Sequence, residues 1–159
     1  MKYLCYMLLF IVSCNSSFDL DKAWNEALDF RQKSKLQESI TSLKKIIAFG
    51  KNESFSVKAQ YQLADIYLND VNDYTFAIQE FEELIDKHPQ SEFTKKSIFM
   101  LGYINSNYIQ AYDEAISYYN MFLEKYPEDD LVQSVQYELE LLESSGIIDT
   151  LDKLRTKNQ

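Results

Sequence analysis

Residues 74–92 read YTFAIQEFEELIDKHPQSE, and residues 112–130 read YDEAISYYNMFLEKYPEDD. The two stretches lie 38 residues apart and share five of nineteen positions: Tyr74/Tyr112, Ala77/Ala115, Ile78/Ile116, Lys87/Lys125 and Pro89/Pro127. Most other positions differ by polar swaps or by exchanges such as Phe81/Tyr119 and Leu84/Phe122. In the first stretch Ala77, Ile78, Phe81, Leu84 and Ile85 fall at i, i+1, i+4, i+7 and i+8, one stripe of a 3.6-residue turn. Pro89 then ends the helix, because a residue before proline is pushed out of the α region.

The 38-residue register extends outward. Leu63, Leu101 and Leu139 fall in step, as do Tyr61, Phe99 and Tyr137; Phe55, Phe93 and Leu131; and Ile66, Ile104 and Leu142. Residues this far apart share no local contact, so the repeat reflects a repeated unit of structure. Each unit reads as two antiparallel helices joined by a polar turn such as NDVND. Small Ala64 and Gly102 let the paired helix approach closely, and Ser91 and Asp130 stand where the next helix can be N-capped. Composition agrees: 46% apolar residues can bury a core, and three Gly with two Pro favour long helices over hairpins. The formal charge of −9 opposes binding to nucleic acid or to anionic lipid surfaces.

Ala77-x3-Phe81 with Pro89, and Ala115-x3-Tyr119 with Pro127, resemble the tetratricopeptide repeat, whose period is about 34 residues. Of the four extra residues, one lies in the intra-unit turn and three follow the proline. The resemblance implies an all-α fold, a right-handed superhelix (α-solenoid) of about three helix pairs with a C-terminal capping helix. The expected organisation is units at about 20–50, 54–89 and 92–127, a cap at 130–144, and a tail or short helix at 146–159. The first unit departs from the pattern: Ser39 replaces the second-helix Ala, Lys51 replaces the Pro, and its turn is shorter.

The amino terminus, MKYLCYMLLFIVSC, has an apolar core of about ten residues, too short to span a bilayer, which needs roughly 20. Ile11-Val12-Ser13-Cys14 resembles the bacterial lipobox, which implies removal of residues 1–13 and lipidation of Cys14, with residues 14–19 as a tether. An ordinary cleaved signal and a retained apolar helix are the alternatives. No cysteine follows Cys14, so the mature chain would hold neither a disulfide nor a thiolate metal site.

Chemistry is sparse. The only histidine, His88, stands at a helix end without spaced partners, and Glu82-Glu83 and Asp129-Asp130 are adjacent pairs that cannot converge on a substrate. No phosphate loop, nucleophile elbow or zinc helix motif is present, so neither an enzyme, a metal nor a cofactor is expected. The first helices offer a different constellation. Trp24, Tyr61, Phe99 and Tyr137 share a register, with Lys58, Asp65, Lys96, Tyr103, Ser106 and Asn107 beside them. An aromatic row flanked by two lysines could grip an apolar peptide and its carboxylate; equally, the rings could only pack between repeats. A lipobox ahead of long-linker repeats resembles the BamD-type lipoproteins of outer-membrane β-barrel assembly. That resemblance implies a lipid-anchored scaffold on the periplasmic face of the outer membrane, holding envelope proteins or unfolded barrel segments. The family has about five repeats where this chain offers three. A Tol–Pal-associated repeat protein, or an accessory lipoprotein that binds a soluble ligand in a deep pocket, is the alternative.

Overall fold

A computed structural model describes residues 18–49 and 53–157. Cys14, the apolar leader and Lys51 lie outside the described residues. Among those described, eight α-helices and no strand occur: α1 (Leu20–Gln32), α2 (Leu36–Phe49), α3 (Glu53–Ile66), α4 (Tyr74–Lys87), α5 (Glu92–Ile104), α6 (Tyr112–Lys125), α7 (Val132–Ser144) and α8 (Ile147–Lys157). Each helix packs on the next, and α3 also touches α5. The result is an all-α solenoid of three pairs, α1/α2, α3/α4 and α5/α6, closed by α7. One core cluster spans the first two pairs and takes in Leu101 and Ile104 of α5, and a second joins α5, α6 and α7.

The repeat is exact at the level of backbone angles. Ser34, Asn72 and Gln110, spaced 38 apart, all adopt the left-handed conformation with φ of 58°, 59° and 60°. His88 and Tyr126, each ahead of a proline, have φ, ψ of −132°, 54° and −134°, 56°. The extra turn residue takes a definite form. α3 and α5 run on into single π-helical turns, Tyr67–Val71 and Asn105–Ile109. A π-turn absorbs one inserted residue without breaking the helix. The first unit lacks the insertion, since Ala27 to Ser39 spans 12 positions where Ala64 to Ala77 spans 13. Accordingly α1 ends at Gln32 with no π-turn.

Caps punctuate the helices. Asp19 accepts from the Lys22 amide at 3.0 Å, Asp73 from Phe76 at 3.2 Å and Ser91 from Phe93 at 3.2 Å. The capping role expected of Asp130 is not filled: the N-cap position of α7 is Leu131, without a side-chain cap bond, and Asp129 accepts from the Leu131 amide at 3.0 Å in the turn before the helix. Asp129 is the residue 38 beyond Ser91, and both accept from the amide two residues on, so the loop register is kept.

Packing explains the departures in the first unit. Ser39 is buried where the other units have Ala77 and Ala115, and its hydroxyl donates to the Ala27 carbonyl across the pair at 2.7 Å. The hydroxyl is therefore satisfied at a position otherwise reserved for a methyl group. In the third pair Gly102 faces the larger Tyr119: a Cβ added there would press within 3.0 Å of three ring atoms. The second pair combines Ala64 with Phe81 at the same positions, both fully buried.

Two stripes show how the stack ends. The i, i+4, i+7 stripe Ala59–Leu63–Ile66 of α3 is at most 1% exposed. Its equivalents Ser97–Leu101–Ile104 are also buried, and Val135–Leu139–Leu142 are buried or nearly so. In α1, which no helix precedes among the described residues, the same stripe is Lys22–Glu26–Asp29, all exposed. The stripe facing the pair's second helix behaves likewise. Ala23–Ala27, Gln60–Ala64–Tyr67 and Ile98–Gly102–Asn105 are buried, whereas Gln136–Glu140–Glu143 of α7 are exposed. The solenoid is thus solvated at both ends by charge placed where its interior puts apolar groups. The exposed Glu140 stripe also shows that α8 is not the second helix of a fourth pair. The carboxyl-terminal segment, expected as a tail or short helix, forms about three helical turns, packs on α7, and holds Arg155 2.6 Å from Asp113 of α6.

The close approach at Gly102 gives a testable consequence. Gly102→Ala should lower stability by about 1–3 kcal/mol through overpacking, despite the helix propensity it gains. A urea midpoint unchanged or raised would show that Tyr119 moves aside freely.

Candidate functional site

The first helices α1, α3, α5 and α7 bring Trp24, Tyr61, Phe99 and Tyr137 to one register across the stack. The Lys58 ammonium of α3 sits 4.3 Å from the Trp24 ring centre. Tyr61 meets Phe81 edge-on at 5.5 Å and Phe93 at 5.2 Å. Burial, and then the nearby Asp65 carboxylate, raise the Tyr61 pKa above its ordinary value. Phe99 lies 6.3 Å from Tyr119 and stacks on Tyr103 at 6.4 Å. Tyr137, with no further first helix over it, is 59% exposed. Tyr61 therefore packs within its pair on Phe81 and across to the next unit on Phe93, whereas the ring contacts of Phe99 stay within its own pair.

Tyr61, Lys96 and Phe99 converge on an open cleft of about 400 Å3 between α3, α5 and the loop before α7. Lys95, Met100 and Leu131 line it too, and so do the carboxylates of Asp129 and Asp130. Lys95 makes an ion pair with Asp129, fastening α5 to that loop. This hydrogen bond, helped by the Leu131 amide, holds the Asp129 carboxyl below the usual carboxylate range. Lys96 lies with its ammonium 5.1 Å from the Phe93 ring centre.

The remaining predicted residues do not join the cleft. Asp65 is engaged by Arg31 of α1 at 2.7 Å and accepts from Asn69 at 2.7 Å, while Arg31 also reaches Asp70 at 2.6 Å. These groups are less than a third exposed, and the pair clamps α1 to α3 rather than awaiting a ligand. Tyr103 and Asn107 lie toward the π-turn: Asn107 donates to the Tyr103 carbonyl at 3.0 Å, and Tyr103 packs edge-on against Tyr108 at 5.9 Å. His88 closes α4 and places Nδ1 3.1 Å from a Glu53 carboxylate oxygen of α3. Among the described residues no three His, Cys, Asp or Glu side chains are grouped to hold a metal, and no helix is long and apolar enough to cross a membrane. Arg31, Lys95, Met100, Asp129 and Leu131 were not foreseen, because counting along one helix finds its faces and not what the next unit lays against them.

Residues 58–91 and 96–129 each match the family model of the tetratricopeptide repeat. The first match covers most of α3 and all of α4, and the second most of α5 and all of α6. Stacked repeats of this kind present extended surfaces on which proteins dock. No curated protein matches the chain.

The divided roles of the row residues can be separated. Tyr61→Ser should cost about 2–4 kcal/mol, because its ring completes contacts with Phe81 and Phe93. Tyr137→Ser should stay within about 0.5 kcal/mol. Equal urea midpoints for the two variants would contradict this division.

Proposed function

We propose that the protein is a lipid-anchored scaffold of the bacterial envelope whose first-helix row holds segments of other proteins, in outer-membrane protein assembly. The observation that carries this reading is the convergence of Tyr61, Lys96 and Phe99 on one open cleft, in a stack whose two end faces are charged. Ends that carry Lys22–Glu26–Asp29 and Gln136–Glu140–Glu143 would have to bury charge to dock a partner, at a cost of several kcal/mol per unpaired ion. On the side formed by the first helices, Lys95 is already paired with Asp129 and Lys96 rests on the Phe93 ring. That side offers half-buried rings, which bind with little loss of side-chain entropy.

The anchor rests on the lipobox resemblance at Cys14. Chain geometry fits it: from Cys14 to Asp19, the cap of α1, an extended chain reaches at most about 18 Å. A lipid on Cys14 would therefore keep the first pair near the membrane surface, on the periplasmic face of the outer membrane. Two or more acyl chains anchor stably where one does not.

Two readouts test the proposal. Labelled palmitate should enter the protein and be lost in Cys14→Ser, which should then leave the membrane fraction; retention of either would remove the anchor. A photo-crosslinking residue placed at Met100 in intact envelopes should capture protein partners, whereas one at Glu26 should not. Capture from Glu26 and not from Met100 would overturn the assignment of the surface.

A further inference from the structure

The first unit carries an apolar pair on an edge where the later units place charge. Helices α1 and α2 run antiparallel, so the start of α1 and the end of α2 lie together, at the edge where the chain passes between units. There Phe18, just ahead of the Asp19 cap, meets Phe49, the last residue of α2, with ring centres 6.2 Å apart. Phe18 keeps the register of Phe55 and Phe93, which are half-buried; with no helix before α1 among the described residues, Phe18 is 39% exposed. Phe49 breaks the register. The equivalent residues of the later units are Lys87 and Lys125, both exposed. Phe49, at 66%, is the most exposed large apolar side chain among the described residues. A ring thus stands where the repeat otherwise sets a solvated ammonium.

The place of this pair in the chain points to what covers it. Cys14 stands four residues ahead of Phe18, a reach of at most about 14 Å for an extended chain. An acylated Cys14 therefore brings Phe18, and Phe49 beside it, within reach of the bilayer surface. Exposed Lys45 lies one turn before Phe49 on the same helix face. An apolar ring with a lysine beside it suits the boundary between headgroups and acyl chains. The described charges nearby in sequence, Asp19, Asp21, Lys22, Lys45 and Glu53, are of both signs, so neutral headgroups fit this acidic chain better than anionic ones. We infer that Phe18 and Phe49 insert together at the surface of the membrane that holds Cys14, seating the first unit on this edge and turning the edge of the intra-unit turns away. This rests on the anchor proposed at Cys14, and it adds which part of the stack meets the lipid.

The experiment uses the mature lipidated protein in phosphatidylcholine vesicles. Because no cysteine follows Cys14, a single thiol can be introduced by Phe49→Cys or by Phe76→Cys and labelled with bimane. Phe76 is 46% exposed and stands in the first turn of α4, at the opposite edge of the stack. A helix of 14 residues is about 21 Å long, so the two labels report different depths. Lipids with a doxyl group high on the acyl chain should quench the label at position 49 about twofold or more and leave that at 76 unchanged, because interfacial side chains sit about 5–10 Å deep. The quenching should persist at about 0.5 M salt, where charge contacts are screened. Vesicle-bound protein with neither label quenched would overturn the contact and leave the anchor standing. Equal quenching at both positions would overturn the seating on one edge. A label at 49 shielded from aqueous iodide but untouched by the lipid quencher would give the pair to a second copy of the chain or to another protein, and overturn the lipid contact. Protein that fails to float with the vesicles would remove the anchor, and this inference with it.

Discussion

Each first helix after α1 buries an i, i+4, i+7 stripe against what precedes it, and the stack exists because that contact recurs. Ala59–Leu63–Ile66 and Ser97–Leu101–Ile104 are buried, and Val135–Leu139–Leu142 close the last interface. A unit of two helices cannot bury both of its faces alone, so stability comes from neighbours and is propagated along the chain. The same position decides where propagation stops. Lys22, Glu26 and Asp29 occupy it in α1, and burying that stripe would mean desolvating three charges. Glu140 and Glu143 do the same for the opposite face of α7. The length of the solenoid is thus written into two stripes.

Within each pair the limiting feature is the distance between helices. Ala27, Ala64 and Gly102 supply the small side of the contact, while Leu43, Phe81 and Tyr119 are the buried large residues of the partner helices. The largest ring stands opposite the residue with no side chain. Function, on this account, is a by-product of packing: the ring edges left over after Tyr61 and Phe99 have met their neighbours are the ones that line the cleft.

Much of this was legible in the sequence, because it depends on periodicity. The helix pairs, the proline stops, the closeness at Ala64 and Gly102 and the aromatic register all follow from residues counted along one chain. The location of the extra turn residue was legible too, but its form as a π-turn ending in left-handed Asn72 and Gln110 was not. That outcome depends on whether a helix absorbs an insertion or breaks at it, a choice made by the packing of Tyr67 and Asn105. Contacts between units were hidden altogether. Arg31 with Asp65 and Asp70, Lys95 with Asp129, and Ser39 with the Ala27 carbonyl join residues whose spacing carries no helical period. For that reason Asp65 read as a lining residue when it is already paired, and Asp130 read as a cap where α7 starts at Leu131 without one. The end stripes were readable in principle, since Lys22, Glu26 and Asp29 lie in register with buried apolar groups.

The most direct test of this account transplants the interior stripe onto the first helix. In Lys22→Ala/Glu26→Leu/Asp29→Ile, the exposed face of α1 takes the residues that α3 buries. Sedimentation velocity over a range of protein concentrations should show this variant self-associating in a way its parent does not, because an uncovered stacking surface seeks a partner. A variant that sediments like the parent at every concentration would contradict the claim that charge at this stripe is what ends the stack.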